Sequence, residues 1–435
     1  MTARGGEPMR NPPQDDVHTL RFTGLRHRKG PLTWSQRSMW NNIQRLKPDD
    51  RHLNQLLRLT LPEAVPVERV SQAVRELLGR HEALRTTYST DARGTPVQQV
   101  QGAGEVTLVA YRREPGTDAA ETWPPSLTER FELDTHLPLR VALGLHDGMV
   151  CNVVLCLSHL ATDAYSNRIL RDELRTLLTA GSDPRRLLEP PTAQPLDLAS
   201  EQQESSPERL AATYAYWREL MASAARTRFD APTGAPMSPR FWHGEYSSQE
   251  MFEASSAVAK HARISEAAVL LAAMFAPLGG ELRQTRLPVW LRAGNRFRPE
   301  TRRSVTYLCQ NVPMMCEVGS AGFRDAAVQA HRSMMRASRH SSYDPDRVAG
   351  LAAPGAPFPS VTYNAIGRHG PARSVAGDRF RWIEKLDHEG ILIFANVFMG
   401  SSVSLLADSA LLPPDRLHTC LRETKHILVS ANREC

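Results

Sequence analysis

The chain has no CxxC pair, no basic run, no long apolar stretch and hardly any lysine, and each absence removes a class of function. Its six cysteines are scattered through 435 residues, which argues against a disulfide framework or a structural zinc site. The longest apolar run, Ala267 to Leu278, is too short to span a bilayer. The opening residues, MTARGGEPMRNPPQDD, hold no hydrophobic segment, so no secretory signal is expected and a cytoplasmic location is. Five of the 53 positive residues are lysines, and the net charge is +6. These charges are dispersed and not interleaved with aromatics, so nucleic-acid binding is not expected. A mildly basic surface does suit an acidic protein partner. What is present is ordinary globular composition, 41% hydrophobic and 23% charged, in a length that suits two domains.

Residues 1–20 read as a disordered N-terminus, with firm order from near Leu32. Thr33 predicts the start of a helix from Trp34 to Ile43. Leu57, Leu59 and Leu61 alternate with polar residues as in a strand. Pro66 opens a helix whose Val67, Val70, Val74, Leu77 and Leu78 form one stripe. Short strands are expected around 96–100 and 106–111. Leu139, Val141, Leu143 and Leu145 predict a strand with one wet face, and Val150 to Leu157 a strand buried on both. A helix is expected over Asn167–Leu178. Residues 186–206, rich in Pro, Ser and Gln, read as a linker between an N-terminal lobe over 20–185 and a C-terminal lobe over 207–435. In the second half, helices are expected at 207–222, 265–278, 323–336 and 414–430. Strands are expected at 287–291, 359–364, 391–398 and 402–407. No short-period repeat is visible, and the mixture of elements makes each half α/β.

The stretch Leu155-Cys-Leu-Ser-His-Leu-Ala-Thr-Asp-Ala-Tyr-Ser166 takes a buried strand into a polar loop and then a helix. A histidine at the end of a rigid strand is suited to proton transfer near neutral pH, although a lone histidine is more often structural. Ser158, His159 and Asp163 together suggest a hydrolase triad. Adjacent residues at a strand end face opposite ways, however, and no GxSxG elbow exists. His159 and Asp163 have the spacing of a metal pair, but no further ligand pattern accompanies them, so no metal is expected. Cys151 and Cys156 lie in the apolar strand, where thiols are usually inert.

Several segments share an order with a known family. Ser158 to Ser166 (SHLATDAYS) resembles the HHxxxDGxS motif of nonribosomal peptide synthetase condensation domains, members of the chloramphenicol-acetyltransferase-like superfamily. Leu32 to Trp40 (LTWSQRSMW), Arg80 to Tyr88 (RHEALRTTY) and Phe131 to Val141 (FELDTHLPLRV) resemble its earlier motifs. Tyr216-Trp217, Gly294-Asn295-Arg296 with Pro299-Glu300, Gln310 to Pro313, and Pro359 to Gly367 (PSVTYNAIG) resemble its later ones.

The resemblance implies two α/β lobes in a V arrangement with a tunnel between them. His159 matches the histidine held to be catalytic, which positions or deprotonates an acceptor amine. Asp163 matches the structural aspartate that pairs with the arginine of the fifth motif, Arg296. Ser158, Ala164, Tyr165, Asn295 and Gln310 become candidates for the tunnel lining. Three positions depart from the pattern: Ser158 replaces the first motif histidine, Ala164 the glycine, and Thr306 a glycine of the fifth motif. The implied activity is condensation, transferring an acyl or aminoacyl group from a carrier-protein thioester to an amine, or a hydroxyl. The donor would ride on the 4'-phosphopantetheine arm of an acyl or peptidyl carrier protein, with no cofactor bound to this chain. With no adenylation-like or carrier-like segment in the sequence, a free-standing enzyme is expected. The alternative is a non-catalytic condensation-like module that docks a carrier protein or a tailoring enzyme.

Overall fold

The structure, a computed structural model, describes residues 16–112, 123–181, 184–226, 234–318, 322–351, 360–367, 377–387 and 392–434. The chain divides into two compact units. The first takes residues up to Glu204 together with Arg296–Leu308, and the second the remainder.

Unit one contains β1 (Asp16–Phe22), β2 (Arg28–Pro31), α1 (Trp34–Leu46), β3 (Gln55–Val65), α2 (Val67–Arg80), β4 (Thr86–Thr90), β5 (Pro96–Val100), β6 (Gly104–Arg112), β7 (Leu139–His146), β8 (Met149–Leu157), α3 (Ala164–Thr179) and α4 (Pro195–Gln203). The main sheet runs β1-β6-β7-β8-β3, and β2-β5-β4 form a small second sheet. β6 and β7 are parallel, whereas β8 is antiparallel to both β7 and β3. A two-residue turn, Asp147-Gly148, joins β7 to β8 with both residues left-handed at φ 49° and 75°. An Asp-Gly pair accepts that conformation at little cost. The turn fixes the register of β8 and hence the place where β8 ends.

The α2 stripe packs with Ile169, Leu170 and Leu174 of α3 and with Leu57, Val141 and Leu155 of the sheet in one core. Leu170 and Leu174 are fully buried, each stabilising by about 1.5–3 kcal/mol relative to exposure. α1 opens as predicted, with Thr33 as a capping-box residue answered by Gln36.

Three expectations need correction. The disorder expected for residues 1–20 lies outside the described residues as far as residue 15. From Asp16 the chain forms β1, which pairs with β6 and buries Leu20 and Phe22. β7 has no wet face: Ala142 is as buried as Val141 and Leu143, and Arg140 is covered by stacking 4.1 Å from the Phe131 ring. The 186–206 segment holds α4, with Pro195 in its first turn, Asp197 completing a capping box, and Leu196 and Leu198 buried. Gly30 on β2 makes room for it, since a Cβ there would lie 2.7 Å from Leu196.

Unit two contains α5 (Pro207–Arg226), β9 (Phe241–Ser248), α6 (Gln249–Ala262), α7 (Glu266–Glu281), β10 (Arg286–Ala293), β11 (Gln310–Glu317), α8 (Phe323–Arg339), α9 (Pro345–Ala349), β12 (Val361–Ile366), β13 (Asp378–Leu386), β14 (Ile393–Phe398), β15 (Ser402–Asp408) and α10 (Pro414–Arg433). One sheet orders these strands β11-β10-β12-β14-β15-β9-β13. The strand starts expected at Pro359 and Ile391 lie outside the described residues. The apolar run becomes α7, buried along most of its length. Among the described residues no single helix is long and apolar enough to cross a membrane.

The two units repeat one plan. In unit one β3 leads into α2, and β6, β7 and β8 precede α3. In unit two β9 leads into α6, and β12, β14 and β15 precede α10. In both, the first strand of the later trio is parallel to the second, and the third lies antiparallel between its two neighbours.

Candidate active site

The end of β8 builds the site. Ser158 accepts backbone hydrogen bonds from Ala161 (3.0 Å) and Thr162 (3.2 Å), which curl the chain into a turn. Its Oγ accepts from the Leu160 N–H at 3.3 Å, and the residue is buried. Of residues 158–163 His159 alone is not buried. Its Nδ1 lies 2.8 Å from the Thr162 carbonyl oxygen. A carbonyl only accepts, so Nδ1 carries the proton and Nε2 carries the lone pair. The Tyr307 ring stands edge-on to the imidazole, 5.0 Å away at 78°.

Asp163 follows as the N-cap of α3 and is 1% exposed. Its Oδ1 accepts from the backbone N–H (2.9 Å) and hydroxyl (3.0 Å) of Ser166. Its Oδ2 accepts from Arg296 Nη1 (2.7 Å) and from the Leu308 N–H (3.0 Å). Burial alone would raise its pKa. The Arg296 charge and the bonds from Arg296, Ser166 and Leu308 outweigh burial, and the pKa falls below its ordinary value. Arg296 Nη2 also donates to Ser166 Oγ and to the carbonyls of Ser304 and Thr306. Asp163 and Arg296 are therefore a buried, multiply bonded pair.

A second buried carboxylate fastens the same segment to α3. Glu173 accepts from Arg80 Nε (3.0 Å) and Nη2 (3.1 Å), from Arg303 Nη2 (3.3 Å), and lies 2.8 Å from His81 Nε2. Burial would raise its pKa, but His81 and Arg80 bring it down to about 2. Arg85, third of this motif's charged residues, donates to the carbonyls of Leu78, Arg26 and Gln101. These side chains bind the protein's own groups.

The remaining candidates separate. Ala164 is the first residue of α3 and half-buried. Tyr165 lies between two guanidinium groups, Arg168 at 4.3 Å and Arg296 at 4.8 Å, against the unit-one core. Ser158 was expected as a lining residue; its burial and turn bond make it a structural residue instead. Asn295 and Gln310 belong to unit two. Asn295, at φ 51°, donates to the Ser341 carbonyl and accepts from its hydroxyl. Gln310 donates to the Tyr343 carbonyl and is 2% exposed. Thr306 is buried, and its Oγ1 accepts from Gln36.

The geometry disposes of the rival chemistries. The Ser158 hydroxyl faces its own turn, so no serine–histidine dyad forms. Both Asp163 oxygens are engaged by donors, so the carboxylate does not join His159 around a metal. Burial pushes the Cys156 thiol up to about 12, leaving no thiolate near neutral pH. Sequence reasoning missed Tyr307 and the closing roles of Ser166, Thr306 and Leu308. Serine three residues after a capping aspartate was the one visible sign.

The profile of the condensation-domain family matches residues 27–353. The chain belongs to that family. Cyclosporin synthetase simA of Tolypocladium inflatum is 27% identical over 290 residues, which cover 64% of this chain and 2% of the synthetase. The condensation domain thus spans a small fraction of its curated relatives. Among solved structures, the condensation domain of the Monacolin K polyketide synthase MokA superposes with a TM-score of 0.74 at 15% identity, covering 93% of this chain and 98% of that one. The X-domain from teicoplanin biosynthesis, solved in complex with OxyB, gives 0.65 at 17% identity, covering 93% of each chain. These likenesses establish the chloramphenicol-acetyltransferase-like α/β fold of this condensation domain.

Proposed function

We propose that the chain is an acyltransferase. It moves an acyl or aminoacyl group from the 4'-phosphopantetheine thioester of a carrier protein to an amine, or less readily a hydroxyl, giving an amide or ester in natural-product biosynthesis. One observation carries this reading: His159 alone in its turn is not buried, and the Thr162 carbonyl directs its lone pair to Nε2. As the acceptor nitrogen attacks the thioester carbon, Nε2 takes its proton. The tetrahedral adduct then expels the pantetheine sulfur by breaking the C–S bond, and the same proton passes to the departing thiolate. The start of α3 presents the positive end of its dipole beside this turn, where an oxyanion would develop. The thioester supplies the activation, and the protein supplies position and one proton carrier.

The test mixes this chain with a separately supplied acyl-loaded carrier protein and a panel of amines, read by intact mass. Loss of the acyl group with appearance of amide, abolished in His159→Ala, supports the reading and shows that the chain acts in trans. The likeness to an X-domain that was crystallised with OxyB favours a second reading, a docking module. Carrier or enzyme binding without turnover by the wild-type chain would select it.

A further inference from the structure

His159 is held on two sides. One contact is the bond from Nδ1 to the Thr162 carbonyl, and the other is the Tyr307 ring. The hydrogen bond along the Nδ1 direction does not by itself stop rotation of the imidazole about that axis. An edge-on ring placed off the axis removes this freedom.

Tyr307 is itself fixed. It is 4% exposed, and both its chain neighbours are tied into the Asp163 cluster. The Thr306 N–H donates to Ser166 Oγ at 3.1 Å, and its carbonyl, 2.8 Å from Ser166 Oγ, accepts from Arg296 Nη2 at 3.0 Å. The Leu308 N–H donates to Asp163 Oδ2 at 3.0 Å. Asp163 is the residue after Thr162, so the contacts close a ring: His159 to Thr162, on to Asp163, across to Leu308, back to Tyr307, and from its ring to His159.

We propose that Tyr307 is a positioning residue for His159, its ring held by the buried Asp163–Arg296 cluster so that it sets the imidazole plane and aims Nε2. The cluster then acts on the chemistry at one remove, through an aromatic contact. The proposal rests on the acyl-transfer reading for its kinetic consequence but not for its structural one. Rigid orientation of a catalytic group is worth large factors in rate, and a misplacement of about 1 Å costs about a hundredfold.

The experiment compares Tyr307→Leu and Tyr307→Phe, with Tyr307→Met as the ring-free variant should leucine fail to fold. In transfer assays the ring-free variant loses about ten- to a hundredfold in kcat with KM within about twofold, and Tyr307→Phe recovers the loss. Independently of turnover, NMR relaxation of the isotope-labelled His159 ring reports its motion. Wild type and Tyr307→Phe hold the ring rigid, while the ring-free variant shows added ring motion with the proton still on Nδ1. A ring-free variant with wild-type kcat and an equally rigid His159 ring overturns the proposal, as does a Tyr307→Phe as defective as leucine. If the wild-type chain transfers nothing, the acyltransfer reading fails, and the ring relaxation still decides the role of Tyr307.

Discussion

The two units leave their sheets through the same turn. In unit one the Ser158 carbonyl accepts from Ala161 and Thr162, and its side chain accepts from the N–H two residues on, at Leu160. In unit two the Asp408 carbonyl accepts from Leu411 and Leu412, and its side chain accepts from the N–H two residues on, at Ala410 (3.0 Å). Each turn leads from the third strand of the repeated trio to a long helix. The residue after the turn-former is His159 in one and Ser409 in the other. Ser409 is 3% exposed, and its hydroxyl accepts from the Met237 N–H at 2.9 Å. The backbone device is thus structural in both units, and the two differ at one side chain: an imidazole left partly open where its counterpart closes a loop. The comparison also accounts for Ser158. It does for its turn what Asp408 does for the other.

The sharpest way to break the comparison is to truncate the two equivalent residues. His159→Ala is expected to keep its fold and lose about 10²–10⁴-fold in acyl transfer, the usual contribution of a positioned acid–base group. Ser409→Ala is expected to lose about 1 kcal/mol of stability and no transfer beyond that. Steady-state kinetics beside thermal unfolding separates the two. Near wild-type turnover in His159→Ala would sink the histidine mechanism.

Next in size are the buried carboxylates near the two turns. Arg296 is 7% exposed, so Asp163→Asn or Arg296→Ala leaves a charge with no water to receive it. Either is expected to cost about 3–5 kcal/mol. Asp408 pairs with Arg240 at 2.7 Å, but that arginine is 46% exposed. Removing it is therefore expected to cost less than removing either member of the Asp163–Arg296 pair. Denaturant titrations give both numbers. Equal costs would mean that solvent access does not distinguish the pairs.

The sequence made much of this legible, and the exceptions have two causes. Thr33, the α2 stripe and the apolar run of β8 announced themselves by period and cap. His159, Asp163 and Arg296 could be named from the resemblance to the condensation-domain motifs. What closes the site could not, because it uses backbone groups: the N–H of Leu308 and the N–H and carbonyl of Thr306 have no sequence signature. Glu173 meets Arg80 and His81 across more than ninety residues of chain, and no local period records such a pairing. β13 was missed for another reason. As the edge strand of its sheet it is exposed along most of its length, so its sequence DRFRWIEKL shows no buried alternation to read.

The Glu173 cluster gives a pH test confined to unit one. The folded pKa, about 2, lies below the ordinary 4.5, so the folded state binds this proton less readily than the unfolded chain. The stabilisation is complete above about pH 4.5 and is lost as pH falls through about 2. The shift corresponds to about 3 kcal/mol. Stability measured in denaturant between pH 6 and pH 2 is expected to fall less steeply in Glu173→Gln than in the wild type, from a lower starting value. Parallel slopes would show that Glu173 titrates normally.

The smallest effect tests the turn itself. Ser158→Ala removes the acceptor for the Leu160 N–H, which lies in a buried turn with little access to water. One neutral hydrogen bond is worth about 0.5–1.5 kcal/mol, and the loss is expected at the upper end because a buried donor is stranded. Transfer by the folded fraction should change little, since the hydroxyl faces away from His159 and the Thr162 carbonyl still fixes the imidazole. Ser158→Asp carries the comparison across, because it installs the unit-two turn-former with an acceptor at the same reach. It is expected to recover the Leu160 bond but to place a charge in a buried turn. Stability therefore should not exceed that of Ser158→Ala at neutral pH, and should improve relative to it as the carboxyl protonates in mild acid. A Ser158→Asp variant as stable as the wild type at neutral pH would show that the turn supplies its own compensation. The arginine in unit two would then be incidental to the turn.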